Sequence, residues 1–197
     1  KHYGQSFSER LDVAVKQGRP VYGVEIKITD ENDITLPNNG KDFGNLWIRG
    51  PWICSGYLNI EKSETHGEDD WFMTGDVATI DEDGFMQITD RTKDVIKSGG
   101  EWISSIEIEN FAVGHPSVME AGVIGVFHPK WDERPLLIIV KNENAKVSKE
   151  EILDFLKDKI VSWWMPDDVV FVESLPHTAT GKIQKLALRE QFKDYKF

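Results

Sequence analysis

The sequence has one cysteine, Cys54, and few basic residues: 23 lysines and arginines stand against 34 aspartates and glutamates, a formal charge of −11. A lone cysteine excludes an internal disulfide, and a negative surface repels nucleic-acid phosphates. No apolar run reaches the length of a membrane span or has the layout of a signal peptide. These absences predict a cytoplasmic protein that binds no nucleic acid and has no membrane span.

The 197 residues are 40% hydrophobic, which is enough to build the core of one large or two small domains. Acidic residues dominate the first part: residues 1–90 hold 8 basic and 17 acidic side chains, whereas residues 91–197 hold 15 and 17. This difference predicts a domain boundary near residue 90. Because the sequence opens on Lys1 without an initiator methionine, we expect it to be a piece of a longer protein.

The first part has the pattern of antiparallel β-structure. Over residues 21–90, short runs alternate apolar and polar side chains and are separated by polar turns. The turn at 81–84 lies between two such runs, 77–80 and 85–88, and predicts a β-hairpin. A small barrel or sandwich is the predicted architecture of this part.

After residue 90 the apolar pattern becomes helical in places. Ser104 with Glu107, and Ser148 with Glu151, have the spacing of capping boxes and predict two helices, the second ending at Pro166. Strands are predicted over 118–127, 136–140 and 169–172, and a terminal helix over 186–195. The chain as a whole is therefore predicted to be α+β, a β-rich part followed by a compact α+β module.

Asp76 is the first candidate for chemistry. It follows Thr74 and Gly75 at the end of a predicted strand, where an ionised carboxylate can accept two hydrogen bonds from a vicinal diol such as a ribose. Aspartate and glycine are also ordinary turn residues, so a plain turn is the alternative interpretation.

The segment 90–101 is the second candidate. Asp90, Arg91, Lys93 and Asp94 predict an exposed linker at the domain boundary. The paired glycines that follow, 99–100, either let the backbone approach a ligand closely or form the turn of a surface hairpin. Spacing alone leaves both interpretations open.

The third candidate is the loop around Lys182. Thr178, Thr180 and Gly181 precede this lysine, whose ammonium could neutralise a phosphate or carboxylate in a transition state. A Walker motif is excluded, because no glycine stands five residues before Gly181 and Ile183 follows Lys182 where serine or threonine is required. The alternative is a solvated surface lysine, and the basic residues of the terminal helix are most simply a solvated face: Lys185, Arg189, Lys193 and Lys196.

In their order and spacing, these three segments resemble the C-terminal part of the adenylate-forming enzymes, and the acyl-CoA synthetases in particular. The runs 97–105 and 128–135 look most like those of medium- and long-chain fatty acyl-CoA synthetases and their relatives that act on short thioether acids. The resemblance implies a two-step reaction. ATP and a carboxylic acid give an acyl-adenylate and pyrophosphate, and the thiol of coenzyme A then displaces AMP.

The resemblance also implies a role for each matching residue. Asp76 and Arg91 would hold the ribose, Lys182 would bridge the attacking carboxylate and the α-phosphate, and Lys93 would be the hinge. The residues facing the coenzyme A channel would be Lys97, Ser98, Gly99, Gly100, Glu101 and Trp102. The implied organisation is a β-barrel-like remnant of the large N-terminal domain over 1–90, a hinge over 91–95 and a mobile α+β lid over 96–197.

Several features of the family pattern are different or absent here. Asn45, Met73 and His177 stand where the family usually has other residues. The phosphate loop, the magnesium-binding segment and the acyl pocket are expected in a missing N-terminal domain. Magnesium would be held there, the isolated chain would be inactive, and apolar surface left uncovered would favour a homodimer. The five histidines show no metal spacing with each other or with Cys54, so no metal site is expected within this chain.

Two other functions remain open. An adenylating relative could load the thiol of a carrier protein instead of coenzyme A. A catalytically silent nucleotide-binding or interaction module is the second alternative, and the joint presence of Asp76, Arg91 and Lys182 argues against it.

Overall fold

The computed structural model describes residues 4, 6–61 and 65–197, and the chain divides into two compact units, Lys1–Lys93 and Asp94–Phe197. The division falls inside the segment 91–95 that the resemblance designates as the hinge. Each unit has its own hydrophobic core, one in the first unit and two clusters in the second.

The first unit is a helix followed by one antiparallel sheet. Its strands pair in the order β1-β2-β3-β4, and Ile28, Leu46, Ala78 and Ile80 form its core. The described residues thus form an open sheet and not the barrel or sandwich expected from the sequence, because the edge strands β1 and β4 do not pair with each other. The elements are α1 (Phe7–Ala14), β1 (Glu25–Thr29), β2 (Phe43–Arg49), β3 (Phe72–Ile80) and β4 (Met86–Arg91).

Two local features of this unit follow from short-range hydrogen bonds. The predicted hairpin between β3 and β4 is confirmed, and Asp81 Oδ1 closes its turn by accepting from the N–H groups of Asp83 and Phe85 at 3.0 and 2.9 Å. Helix α1 begins at a capping box formed by Ser6 and Glu9, and none of its residues is buried. The sequence analysis missed α1 because a helix without a buried face leaves no strong apolar period.

The second unit is a five-stranded sheet with helices on both faces. The sheet order is β6-β5-β8-β7, and β9 pairs parallel to β8. Capping by Ser104 and Ser148 and all three predicted strands are confirmed. The elements are β5 (Ile96–Ser98), β6 (Glu101–Ile103), α2 (Ser105–Val113), β7 (Val118–His128), β8 (Asp132–Lys141), α3 (Lys149–Leu156), β9 (Asp168–Val172) and α4 (Lys185–Gln191).

Strand β8 is apolar on both faces because each face is covered. Leu137 and Ile139 belong to the cluster packed against α2 and α3, whereas Leu136, Ile138 and Val140 belong to the cluster that contains Leu188 of α4. Successive side chains of a strand point to opposite faces, so this alternation places α4 on the face opposite α2 and α3.

Two helix ends differ from the sequence-based expectation. Helix α3 ends at Leu156, well before Pro166, and the chain then forms a short 3-10 turn at Ser162–Trp164. The carbonyl oxygens of Trp163 and Met165, just before Pro166, accept hydrogen bonds from Arg134. Helix α4 ends at Gln191 instead of continuing to residue 195.

Tyr195 lies beyond the end of α4 and bonds to β9. Its hydroxyl donates to Asp168, whose other carboxylate oxygen accepts from Lys149 Nζ at 2.7 Å. Burial, together with this hydrogen bond, raises the pKa of Tyr195 to about 12. Burial opposes ionisation of Asp168, but the hydrogen bonds from Lys149 and Tyr195 outweigh it and lower the pKa of that carboxyl.

Candidate active site

Asp76 and Arg91 form an ion pair across β3 and β4. The two residues are register partners, and Arg91 Nη1 lies 3.0 Å from Asp76 Oδ1. The Asp76 side chain is 18% exposed, and in the described part of the chain no side chain binds its second oxygen. A carboxylate in this state can accept hydrogen bonds from a diol on its open side.

A β-bulge produces this pairing. Val77 is opposite Asp90, but Ala78 is opposite Ile88, so the register shifts by one residue between them. Without that shift, Asp76 would face Asp90, a second carboxylate. Because a one-residue shift exchanges every cross-strand partner, the bulge is what places a guanidinium beside Asp76.

The part of strand β3 that precedes Asp76 is held by hydrogen bonds on both sides. Thr74 Oγ1 donates to the carbonyl of Leu46 and accepts from the Asp76 N–H, each at 3.1 Å. Gly75 has a φ of +76°, which favours glycine, and its carbonyl accepts from the Thr92 N–H at 3.0 Å. Asp76 therefore lies inside strand β3, neither at a strand end nor in a plain turn, and these hydrogen bonds hold the backbone that carries its side chain.

Gly99 and Gly100 form the two-residue turn of the hairpin β5–β6. Their φ angles are +61° and +87°, as a type I′ turn requires at both central positions. A Cβ on Gly99 would lie 3.0 Å from Trp131 Cε3, whereas a Cβ on Gly100 would meet no atom within 4 Å. A side chain at Gly99 would thus press on tryptophan, whereas one at Gly100 would face open space.

This difference predicts unequal effects of two alanine substitutions. Both Gly99→Ala and Gly100→Ala force a left-handed backbone, at about 1–2 kcal/mol each. Gly99→Ala also drives a methyl group against Trp131, and such overpacking typically adds about 1–3 kcal/mol. We expect urea denaturation, followed by hydrogen exchange in the second unit, to show Gly99→Ala as the less stable variant. Equal stabilities would contradict the close approach of a Gly99 side chain to Trp131.

The other residues of this hairpin divide between solvent and interior. Lys97 is exposed, and its ammonium lies 5.6 Å from the centroid of the Trp102 ring. Glu101 is exposed, but Ser98 is fully buried and its Oγ accepts from Arg134 Nη1 at 3.2 Å. The Ser98 side chain therefore fixes the hairpin from inside the unit.

Arg134 is the residue that the sequence analysis missed. Its guanidinium is 8% exposed and donates from Nε to Asp167 at 2.7 Å, in addition to its bond with Ser98. Nη1 and Nη2 donate to the carbonyls of Trp163 and Met165, each at 3.0 Å. An arginine at the start of an otherwise apolar strand was the available sequence signal, since such a charge is buried only with partners.

The Lys182 loop is a small closed hairpin. His177 and Ile183 form a β-bridge, and Thr178 N–H donates to the carbonyl of Lys182 at 2.8 Å. The Lys182 N–H donates to Thr178 Oγ1 at 3.2 Å, and His177 Nε2 lies 2.9 Å from Glu120 Oε1 on β7. The Lys182 side chain is exposed, and no ion pair to it is found among the described residues.

The predicted site residues are thus distributed over both units. Asp76 and Arg91 are in contact in the first unit, and Lys93 is exposed at its end. The hairpin over 97–102 and the loop of Lys182 are separate parts of the second unit. Lys185 and Arg189 are not the solvated face that the sequence suggested, because each forms an ion pair, with Glu109 at 2.9 Å and with Asp94 at 2.8 Å.

The described ranges, which exclude His2, contain neither a metal site nor a helix that could span a membrane. No group of three or more histidine, cysteine, aspartate or glutamate side chains there could hold a metal ion. Among the same residues no helix is long and apolar enough to cross a membrane.

Comparison with known proteins gives consistent matches. Residues 107–182 match the family described as the AMP-binding enzyme C-terminal domain. Over 98% of its length the chain is 53% identical to 3-methylmercaptopropionyl-CoA ligase of Ruegeria pomeroyi and 50% identical to medium-chain-fatty-acid–CoA ligase of Ectopseudomonas oleovorans, covering 36% and 35% of them. ATP-bound MatB from Rhodopseudomonas palustris superposes with a TM-score of 0.82, at 33% identity, over 92% of this chain and 37% of that one. The chain therefore spans about a third of the length of these relatives.

Proposed function

We propose that the parent protein of this chain is an ATP-dependent, AMP-forming acyl-CoA synthetase. The chain belongs to the AMP-binding enzymes and is homologous over nearly its whole length to their acyl-CoA ligases. The Asp76–Arg91 pair is the observation that carries the proposal. It is a carboxylate with one open oxygen, paired with a guanidinium, on a strand segment that neighbouring hydrogen bonds hold in place.

In this proposal Asp76 accepts hydrogen bonds from the ribose hydroxyls, and Arg91 holds the carboxylate in orientation. Lys182 places its ammonium between the carboxylate substrate and the α-phosphate, where negative charge develops as the acyl-adenylate forms. Lys93 is the hinge on which the second unit turns before the thiol attacks. Pyrophosphate leaves in the first step, and AMP leaves in the second.

The hairpin over 97–102 is the proposed contact for coenzyme A. Gly100 supports this role because the space beside it is open, and Lys97 and Glu101 support it because they are exposed. Ser98 contributes through its bond to Arg134, which holds the hairpin in place. Magnesium, the phosphate-binding loop and the acyl pocket belong to the part of the parent outside this chain, so the isolated chain is proposed to be inactive.

The proposed acid is a fatty acid or a short thioether acid, since the relatives named above act on 3-methylmercaptopropionate and on medium-chain fatty acids. Disulfides persist in oxidising compartments, and the lone Cys54 cannot form one within this chain. The proposed location is therefore cytoplasmic. A homodimer is proposed from exposed apolar side chains in the first unit such as Trp52 and Leu58.

The test is an assay of the intact parent with a series of straight-chain and thioether acids. Acid-dependent exchange of labelled pyrophosphate into ATP reports the first step, and chromatographic detection of acyl-CoA reports the second. Exchange without acyl-CoA, but with loading of a phosphopantetheine carrier protein, would favour the carrier-loading alternative. No exchange with any acid would favour the silent module.

Asp76→Ala in the parent tests the ribose assignment. Loss of one hydrogen bond to a charged acceptor costs about 1.5–3 kcal/mol, so we expect the KM for ATP to rise by at least roughly tenfold to a hundredfold. The KM for the acid should change little. Asp12→Ala, at an exposed carboxylate on α1, is the matched control and should leave both constants unchanged. An unchanged KM for ATP in Asp76→Ala would overturn the assignment.

A further inference from the structure

The segment 92–94 changes its attachment from one unit to the other within three residues. Thr92 is bound to the first unit, because its Oγ1 donates to Asn45 Oδ1 at 3.0 Å and its N–H donates to the carbonyl of Gly75 at 3.0 Å. Asp94 is bound to the second unit, because its Oδ1 lies 2.8 Å from Arg189 Nη1. Lys93 lies between these two attachments.

The attachment of Asp94 is firm. Its side chain is 13% exposed and that of Arg189 is 28% exposed, so solvent screens this ion pair less than a surface pair. The neighbouring Leu188 is buried against the sheet, and Lys185 of the same helix is bound to Glu109 of α2 at 2.9 Å. Asp94 therefore moves with helix α4 and with the sheet beneath it.

Both hydrogen-bond partners of Thr92 lie on strands of the first unit. Asn45 lies on β2 and is the register partner of Val77 on β3, so its side chain is carried by two paired strands. Gly75, the second partner of Thr92, belongs to β3. The preceding residue, Arg91, is bound to Asp76. Thr92 therefore moves with the sheet of the first unit.

Lys93 is different from both neighbours. It is exposed, and among the described residues no hydrogen bond or ion pair holds its backbone or its side chain. One residue supplies two soft backbone dihedrals, which is enough for a hinge between two rigid bodies.

Resting on the proposed function, we propose that Thr92–Asn45 and Asp94–Arg189 are two clamps that confine the rotation between the half-reactions to the backbone of Lys93. Asn45 and Arg189 are thereby positioning residues of the reaction, although neither touches substrate. If a clamp is broken, bending spreads over several residues, and the second unit reaches each orientation with less accuracy. Small errors in placing reacting groups lower a rate by up to about a hundredfold.

The experiment measures amide hydrogen exchange in the intact parent, without substrates, for Arg189→Met and Thr92→Val. Arg189→Met keeps the aliphatic stem and removes the charge, so exchange at Asp94 and Val95 should rise roughly tenfold as local opening becomes easier. Thr92→Val should raise exchange at the Thr92 amide, which donates to the Gly75 carbonyl, and leave exchange in the second unit unchanged. The matched control is Lys193→Met, which removes an exposed lysine paired only along the surface with Glu190 and should match the wild type.

Rates are measured on the same variants. Each clamp variant should lower both pyrophosphate exchange and acyl-CoA formation about tenfold, with the KM for ATP unchanged, because placement and not nucleotide binding is affected. The charge swap Asp94→Arg with Arg189→Asp should restore exchange protection and rates together. A rise in exchange spread evenly through the second unit, or protection restored without rates, would overturn the proposal. A parent without ligase activity would refute the proposed function, while the exchange measurement would still decide whether the clamps exist.

Discussion

Lys182→Ala in the intact parent is expected to lower acid-dependent pyrophosphate release by roughly a hundredfold to a thousandfold, the effect of removing one transition-state charge partner. Thioester formation from a supplied acyl-adenylate should survive, because that step no longer needs an ammonium at the α-phosphate. The measurement is therefore two separate assays on one variant, pyrophosphate release from ATP and acyl-CoA formation from the adenylate.

The position of Lys182 makes this prediction specific. Its loop is closed by backbone hydrogen bonds and joined to β7 through His177 and Glu120, so the substitution removes a charge and leaves the loop bonds in place. Lys146→Ala, at another exposed loop lysine, is the matched control and should affect neither assay. If Lys182→Ala leaves both reactions at wild-type rates, the lysine is only a surface residue. Equal loss in both reactions would contradict its restriction to the first step.

The elements that the sequence predicted correctly are those with local signals. Ser104 and Ser148 accept hydrogen bonds from the N–H groups of Glu107 and Glu151, three residues on, and the helices begin where that spacing predicts. The turn at 81–84 closes through Asp81 in the same short-range manner. Such interactions involve side chains a few residues apart, so the sequence contains all the information needed.

The elements that the sequence did not predict depend on distant partners. The segment between α3 and Pro166 is held by a distant residue, because Arg134 on strand β8 donates to the carbonyls of Trp163 and Met165. Arg189 was interpreted as a solvated residue because its partner, Asp94, is at the other end of the second unit's sequence. No local pattern reports which distant carbonyl or carboxylate a basic side chain will reach.

The candidate site shows the same division. Asp76, Arg91 and Lys182 were found as residue types in a recognisable order, but the contact between Asp76 and Arg91 depends on a bulge after Val77. A regular hairpin would have paired Asp76 with Asp90. The register of β3 on β4 therefore determines the chemistry of the site, and a bulge of one residue has no reliable signature in the sequence.

Arg134→Met is expected to destabilise the second unit by about 3–5 kcal/mol, the usual cost of removing one partner from a buried charge network. The substitution leaves Ser98 Oγ and the carbonyls of Trp163 and Met165 without their donor, and unsatisfied buried groups cost about 1–3 kcal/mol each. Asp167 is partly exposed and can be hydrated, which keeps the total near the lower end of this range. Urea denaturation followed by hydrogen exchange in the second unit measures the change.

The same substitution should also affect the proposed coenzyme A hairpin, because Arg134 is what joins Ser98 to the segment 162–167. Amides of β5 and β6 should therefore lose protection in Arg134→Met at urea concentrations too low to unfold the unit. Asp167→Asn keeps an acceptor for Nε and should cost less than Arg134→Met, while Lys157→Met, at an exposed lysine after α3, should cost nothing measurable. A hairpin that stays protected in Arg134→Met would show that β5 and β6 are held by the sheet alone, and Arg134 would then be a packing residue without influence on thioester formation.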